Sequence, residues 1–133
     1  MYREVVHNGQ LLAIIITHDF HKLGTTFFTP GHFSQQLGFI HHSQGHVIKA
    51  HSHHEVSREV TFTQEVLFIR KGKLQVDLFD SQKQLIKREI LTAGDVILLA
   101  SGGHGFKVLE ELEMIEVKQG PYLGDMDKYF LNP

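Results

Sequence analysis

Cysteine is missing from this sequence of 133 residues, and its absence narrows the chemistry that the chain can support. Without cysteine there are neither disulfide bonds nor thiolate metal ligands, so nitrogen and oxygen must hold any metal ion. A ligand set of that kind points away from structural zinc of the finger type. Metal chemistry in this chain therefore has to rest on histidine and the carboxylates.

The chain also has little net charge and no long apolar run. The formal charge is −2 at pH 7, which provides no electrostatic reason to expect nucleic acid or an anionic membrane as a partner. The apolar run at residues 11–16 is too short for the core of a signal peptide or for a membrane span. We therefore expect a cytoplasmic protein with no membrane or nucleic-acid partner.

A strong amphipathic helical period is absent as well, and short apolar segments separated by glycine-containing turns take its place. Lys71-Gly72 and Glu110-Glu111 are predicted to be turns between strands, and residues 119–133 an extended tail. The pattern favours a single all-β domain over residues 1–133, built as a sandwich or barrel. The predicted strands are residues 11–17, 25–29, 35–42, 47–53, 65–70, 74–79, 85–91, 96–100, 104–109 and 112–118.

Histidine is abundant, with eleven copies, and the placement of three of them suggests a metal site. His51 and His53 are two positions apart in a predicted strand, so their side chains share one face about 6–7 Å apart. Side chains in a strand alternate between its two faces. By this alternation, Glu65 and His104 each lie on the same face of their own predicted strand as apolar residues. A carboxylate in an apolar interior is costly unless it is paired, hydrogen-bonded or bound to metal. A lone histidine is more often a hydrogen-bonded core residue than a ligand, but this combination favours metal binding.

The spacing of these residues resembles the first conserved motif of the cupin family. Residues 45–72 contain Gly45, five residues, His51-x-His53, then Glu65, six residues and Gly72. The interval from His53 to Glu65 is longer than in the cupin pattern. Other carboxylates therefore stand as alternatives to Glu65, namely Glu55 and Glu59.

Residues 94–106 are similar to the second cupin motif, with Gly94-Asp95 followed by Ser101-Gly102-Gly103-His104. Ala100 stands where that motif has proline, Val108 stands where it has asparagine, and His104 falls one residue early. The resemblance implies a double-stranded β-helix, or jelly-roll barrel. It also implies a divalent transition metal whose ligands are His51, His53, Glu65 and His104.

Three imidazoles and one carboxylate leave one or two positions open on the ion, and they suit zinc, iron, manganese, nickel or cobalt alike. Such an ion can polarise a carbonyl or bind an enediolate, which favours isomerase or epimerase chemistry on a sugar or sugar phosphate. Candidate proton-transfer groups are Lys49, His41 (with His42 as its alternative) and Tyr122. Residues 114–122 also resemble small bacterial cupins associated with polysaccharide and sugar-nucleotide gene sets.

Two other functions fit the same residues. One is an Fe(II)-dependent dioxygenase, which would use the same ligands. The other is a non-catalytic module that binds a sugar or another small metabolite. In each case the apolar N-terminal strand and the tail, which carries Phe and Tyr, favour a homodimer.

Overall fold

A computed structural model describes residues 1–132, and Pro133, the last residue of the predicted tail, lies outside them. The protein is all-β. A 3₁₀ helix, Gly124–Met126, interrupts an otherwise irregular tail, and within residues 1–132 no helix has the length and apolar character to cross a membrane. The strands are β1 Tyr2–His7, β2 Gln10–Ile16, β3 Gly24–Phe27, β4 Gly38–His41, β5 Glu65–Phe79, β6 Leu85–Thr92, β7 Val96–Leu99 and β8 Gly103–Lys118.

Six of these strands form one antiparallel sheet that curls into half a barrel. Its order is β1-β2-β7-β5-β6, and β8 runs along the other side of β5. The first part of β5 pairs with β7 and its second part with β6, while β8 follows β5 over nearly its whole length. The pairing register shifts between Ile69 and Leu74, and shifts of this kind bend and twist a strand pair. The bend turns one half of the sheet to face the other.

Alternating side chains fill the inside of this curl. Leu67, Ile69, Leu74, Val76 and Leu78 of β5 are fully or almost fully buried there, with residues of β2, β6 and β7. Burying each such side chain stabilises the fold by about 1.5–3 kcal/mol. A smaller cluster around Ile14 and Leu98 occupies the outer face. The segment that contains the β3–β4 hairpin covers it, through Phe28, Phe33 and Leu37.

The two predicted turns at Lys71-Gly72 and Glu110-Glu111 are wrong. β5 and β8 continue through these positions as single strands, because the halves of each strand pair with the other strand and not with one another. Gly72 does have a positive φ of 93°, and a Cβ built on it would lie 2.0 Å from the carbonyl oxygen of Glu111. Glycine at this position thus permits two bent strands to approach closely.

The predicted strand at residues 47–53 is not formed. Residues 46–61 have no regular secondary structure, and every residue from 43 to 63 is exposed. We refer to residues 43–63 as the arm. Apolar residues in it remain in solvent, with Val47 80% and Phe62 78% exposed. A β-rich sequence becomes a strand only where its backbone pairs with an edge, and within the described chain the arm pairs with none.

Strand β1 was not among the predicted strands, although the sequence carries a signal for it. Asn8 and Gly9 join β1 to β2 with φ angles of 50° and 75°. An Asn-Gly pair with two positive φ angles is characteristic of a tight two-residue hairpin. The remaining predicted strands are present with shifts of a few residues at their ends.

The cross-strand pair of Asp77 on β5 and Arg88 on β6 leads to a prediction about pH. The guanidinium donates from Nε and Nη2 to the two carboxylate oxygens over 2.7 and 2.9 Å, and these hydrogen bonds lower the pKa of Asp77. A lowered carboxyl pKa adds stability above the unfolded-state value, and that stability is lost as the pH falls through the folded-state value. We expect Asp77→Asn to reduce the free energy of unfolding by about 0.5–1 kcal/mol at pH 7.

Urea unfolding of both proteins from pH 7 down to the acid range measures this difference. It should shrink once the pH drops below the usual aspartate value of 3.8. Glu111→Gln is the matched control, because Lys71 and Glu111 form a pair that is 56% and 84% exposed and should contribute less. A loss in Asp77→Asn that did not change with pH would contradict the assigned cause.

Candidate functional site

Glu65 and His104 meet on the inner side of the curl. His104 Nε2 lies 3.3 Å from Glu65 Oε2, and the two side chains are 31% and 14% exposed. Along the β5–β8 ladder they are far apart, since Glu65 is opposite Lys118 and His104 is opposite Leu78. The bend of the two strands brings these ends together.

Glu116 and Lys118 flank this pair on the same face of β8. The hydrogen bond with His104 is the main cause that holds the pKa of Glu65 below its usual value, against the effect of burial. Burial, followed by the negative charge of Glu65, raises the pKa of Glu116. The neighbouring carboxylates are thus driven toward different protonation states, an arrangement that suits both cation binding and proton transfer.

The inner face beside His104 is open to solvent. Phe106 and Val108 point to the same side as their cross-strand partners Val76 and Leu74, yet they are 41% and 55% exposed whereas the partners are buried. The reason is their position at the border of the sheet. β8 pairs with β5 on one side, and no strand in the described part of the chain pairs with its other side. We call the unpaired side of residues 103–109 the free edge.

His51 and His53 lie on the arm, and the structure does not bring them to Glu65 and His104. Their rings are close to one another, with centroids 5.4 Å apart, and His51 donates from Nδ1 to the carbonyl oxygen of Lys49 over 2.8 Å. The alternative carboxylates Glu55 and Glu59 are exposed on the arm as well. Within residues 1–132 no three or more His, Cys, Asp or Glu side chains are grouped to hold a metal ion. The four predicted ligands therefore lie in two separate pairs, one on the arm and one inside the curl.

The candidate proton-transfer residues are scattered over the molecule. Lys49 is on the arm, His41 ends β4, and Tyr122 is 84% exposed in the tail. The residues that do flank Glu65, namely Glu116 and Lys118, were not among the candidates. The signal for them was present in the alternation of β8, which places both side chains on the inner face with Met114.

The sequence makes Gln64 a candidate for the rim of a cavity or for a plain surface residue, and in the structure this residue is only 6% exposed. Its backbone N–H donates to Gln119 Oε1 over 2.6 Å, and its own Oε1 accepts from the backbone of Gln35 and from Ser34 Oγ. These bonds tie the end of the arm to the body of the protein, one residue before Glu65.

A cleft of about 550 Å³ lies elsewhere, between the root of the arm and the β1–β2 turn. Its lining includes Phe33, Phe62 and Ala100, and it includes neither Glu65 nor His104. The partly buried carboxylate of Glu65 beside His104 makes the inner side of the curl the stronger candidate site, because that is where titratable groups converge. No family model, curated protein or solved structure matches the chain.

Proposed function

We propose that the protein is a metal-dependent cupin whose ion is held by His51, His53, Glu65 and His104. Its substrate would be a small oxygen-rich metabolite such as a sugar or sugar phosphate, and the reaction an isomerisation or epimerisation. The observation that carries the proposal is the 3.3 Å approach of Glu65 and His104 inside the curl. These two residues come from different sequence motifs and from opposite ends of a strand ladder, and they meet where ligands of one ion would have to meet.

The strand order supports the jelly-roll part of the proposal. The first part of β5 and the second part of β8 belong to one layer with β7 and β2, and the other parts of both strands belong to a facing layer with β6. The facing layer ends at the free edge. An additional strand there would close the barrel, and the arm is the segment predicted to be a strand that has not found a partner.

The residues fit a divalent ion by their chemistry. Carboxylate and imidazole are ligands for zinc, iron, manganese, nickel and cobalt, and Glu65 is held in its ionised form by His104. A bound ion would supply Lewis-acid polarisation of a substrate oxygen. Glu116, whose pKa is raised, lies beside Glu65 and is the group best placed to hold and transfer a proton.

Metal analysis of protein purified without a histidine tag tests the proposal. We expect about one divalent ion per chain, and we expect His104→Ala or the double change His51→Ala/His53→Ala to weaken its binding by at least about 100-fold, since even outer-shell changes cost 10–100-fold. His21→Ala and His32→Ala remove exposed histidines outside the site and serve as matched controls. Equal losses in the controls, or a wild-type protein that takes up no divalent ion, would overturn the metal function.

Substrate screening follows on the metal-loaded protein, with sugar phosphates and nucleotide sugars as probes. Turnover of a bound sugar identifies an isomerase or epimerase, whereas binding without turnover identifies a carrier module. Oxygen uptake that depends on iron and on an added substrate identifies a dioxygenase. Turnover at the full rate in protein freed of metal would exclude catalysis by the ion.

A further inference from the structure

We propose that the metal site is completed between two copies of the chain. In this arrangement the arm of one copy pairs as a strand with the free edge of the other and delivers His51 and His53 to that copy's Glu65 and His104. The inference rests on the metal site proposed above, and it adds that the ligands come from two chains.

The first argument is the state of the arm on its own chain. All residues from 43 to 63 are exposed, and the apolar Val47, Ile48 and Phe62 stand in solvent. A long segment with unpaired backbone and exposed β-branched side chains is available for pairing with the edge of another chain. Proteins that exchange a segment of this kind form dimers at low cost, because the contact is one that the sequence already favours.

The second argument is how the arm is anchored. At its start, the β3–β4 segment is held on the outer face of the sheet by Phe28 and Leu37. At its end, Gln64 is buried and hydrogen-bonded. The arm therefore leaves from the outer side, whereas Glu65 and His104 face the inner side. With both ends held, the exposed middle of the arm is presented to a neighbour.

The third argument is the fit of the free edge. Residues 47–53 and residues 103–109 are both seven-residue segments, so one strand can cover the edge. An added strand would also shield Phe106 and Val108, which are the exposed part of an otherwise buried face. If His51 and His53 point inward in that strand, Lys49 does so too by alternation, toward Glu65 and Glu116.

Charge supports this pairing at the inner side and not along the edge itself. Residues 46–54 contain Lys49 and four histidines with no acidic residue, and on the inner side they would face the carboxylates of Glu65 and Glu116, whereas residues 103–109 contain His104 and Lys107 and no acidic residue. Opposite charge on two surfaces speeds their encounter and disfavours wrong pairings. In a closed twofold dimer each arm pairs with the free edge of the other copy, so neither an arm nor a free edge is left unpaired.

Cross-linking tests the exchange directly, because a chain without cysteine accepts two unique thiols. Ser52→Cys on the arm and Lys107→Cys on β8 both lie on the side away from the histidines. A short bismaleimide should convert the double variant into a covalent dimer, and either single variant alone should remain largely monomeric on a denaturing gel. An internally cross-linked monomer, or no cross-link between the two positions, overturns the proposal.

Complementation tests the shared metal site. One variant carries His51→Ala/His53→Ala and the other Glu65→Gln/His104→Ala, and neither should bind metal alone. If sites form between chains, half of the dimers in a co-refolded equal mixture contain both variants, and each has one intact site. The mixture should therefore bind about a quarter of the metal that the wild type binds.

Sites formed within one chain would give no binding in that mixture. A wild type that binds metal together with a mixture that does not would overturn the exchange and leave the proposed function intact. A wild type without metal would overturn both the metal function and the shared site, whereas the cross-linked dimer would still report the exchange of arms. The cross-linking result also stands if a ligand variant fails to fold.

Discussion

Replacing Gly72 with alanine is expected to destabilise the protein by about 3 kcal/mol or more. A φ of 93° is strained for any residue with a Cβ, at about 1–2 kcal/mol. The new Cβ would also lie 2.0 Å from the carbonyl oxygen of Glu111 and 3.0 Å from that of Glu110. The backbone there has little freedom to retreat, because Lys71 and Lys73 pair with β8 on either side of the glycine.

Gly9→Ala is the matched control for this variant. Gly9 has a φ of 75° but no heavy atom within 4 Å of the position that a Cβ would take, so only the backbone strain is added. We expect a loss of about 1 kcal/mol for Gly9→Ala, measured by urea unfolding at pH 7. Equal losses in the two variants would show that the close approach of β5 and β8 is not rigid. The bend at Gly72 also carries Glu65 toward His104, so under the proposed function a folded Gly72→Ala should bind metal more weakly.

Asp95→Ala is expected to lower the free energy of unfolding by about 2–4 kcal/mol. The side chain of Asp95 is 6% exposed and accepts hydrogen bonds from the backbone of His18 over 2.8 Å and of Thr92 over 2.7 Å. Thr92 Oγ1 donates to it as well, over 3.3 Å. Removing the carboxylate leaves these donors without their acceptor and releases the turn that leads into β7.

Asp125→Ala serves as the control, because Asp125 is exposed in the 3₁₀ helix and its loss should change stability by less than about 0.5 kcal/mol. Thermal and urea unfolding of both variants measure the difference. Similar small losses in the two variants would mean that the hydrogen bonds of Asp95 are replaced by water. The expected result would show that Asp95, which lies in the segment similar to the second cupin motif, stabilises the turn before β7.

Much of the site was accessible from alternation alone. The prediction that Glu65 points inward is confirmed, because Glu65 lies on the same face of β5 as the buried Leu67 and Ile69. The same prediction for His104 is confirmed, because its cross-strand partner Leu78 is buried. Alternation works here because a strand presents successive side chains to opposite faces, whatever it pairs with. The inward places of Glu116 and Lys118 followed from the same rule and were overlooked.

The predicted turns failed for a reason that local sequence does not contain. Glycine with positive φ is compatible with a hairpin and also with a bend in a continuous strand, and only the pairing partner distinguishes them. In β5 the partner is β8, which runs alongside both halves. The arm shows the same limit, because its residues have strand propensity and a strand forms only where the backbone pairs with an edge, which local sequence does not specify.

The sequence by itself determined an all-β chain, a chemistry restricted to nitrogen and oxygen ligands, and the faces on which Glu65 and His104 lie, because composition and alternation are local properties. Only the tertiary structure decided that β5 and β8 bend together, that this bend brings Glu65 to His104, and that the arm with His51 and His53 stays apart from them. Those outcomes depend on contacts between residues distant along the chain, and such contacts are set by which edges and faces remain to be covered after the rest of the sheet has formed.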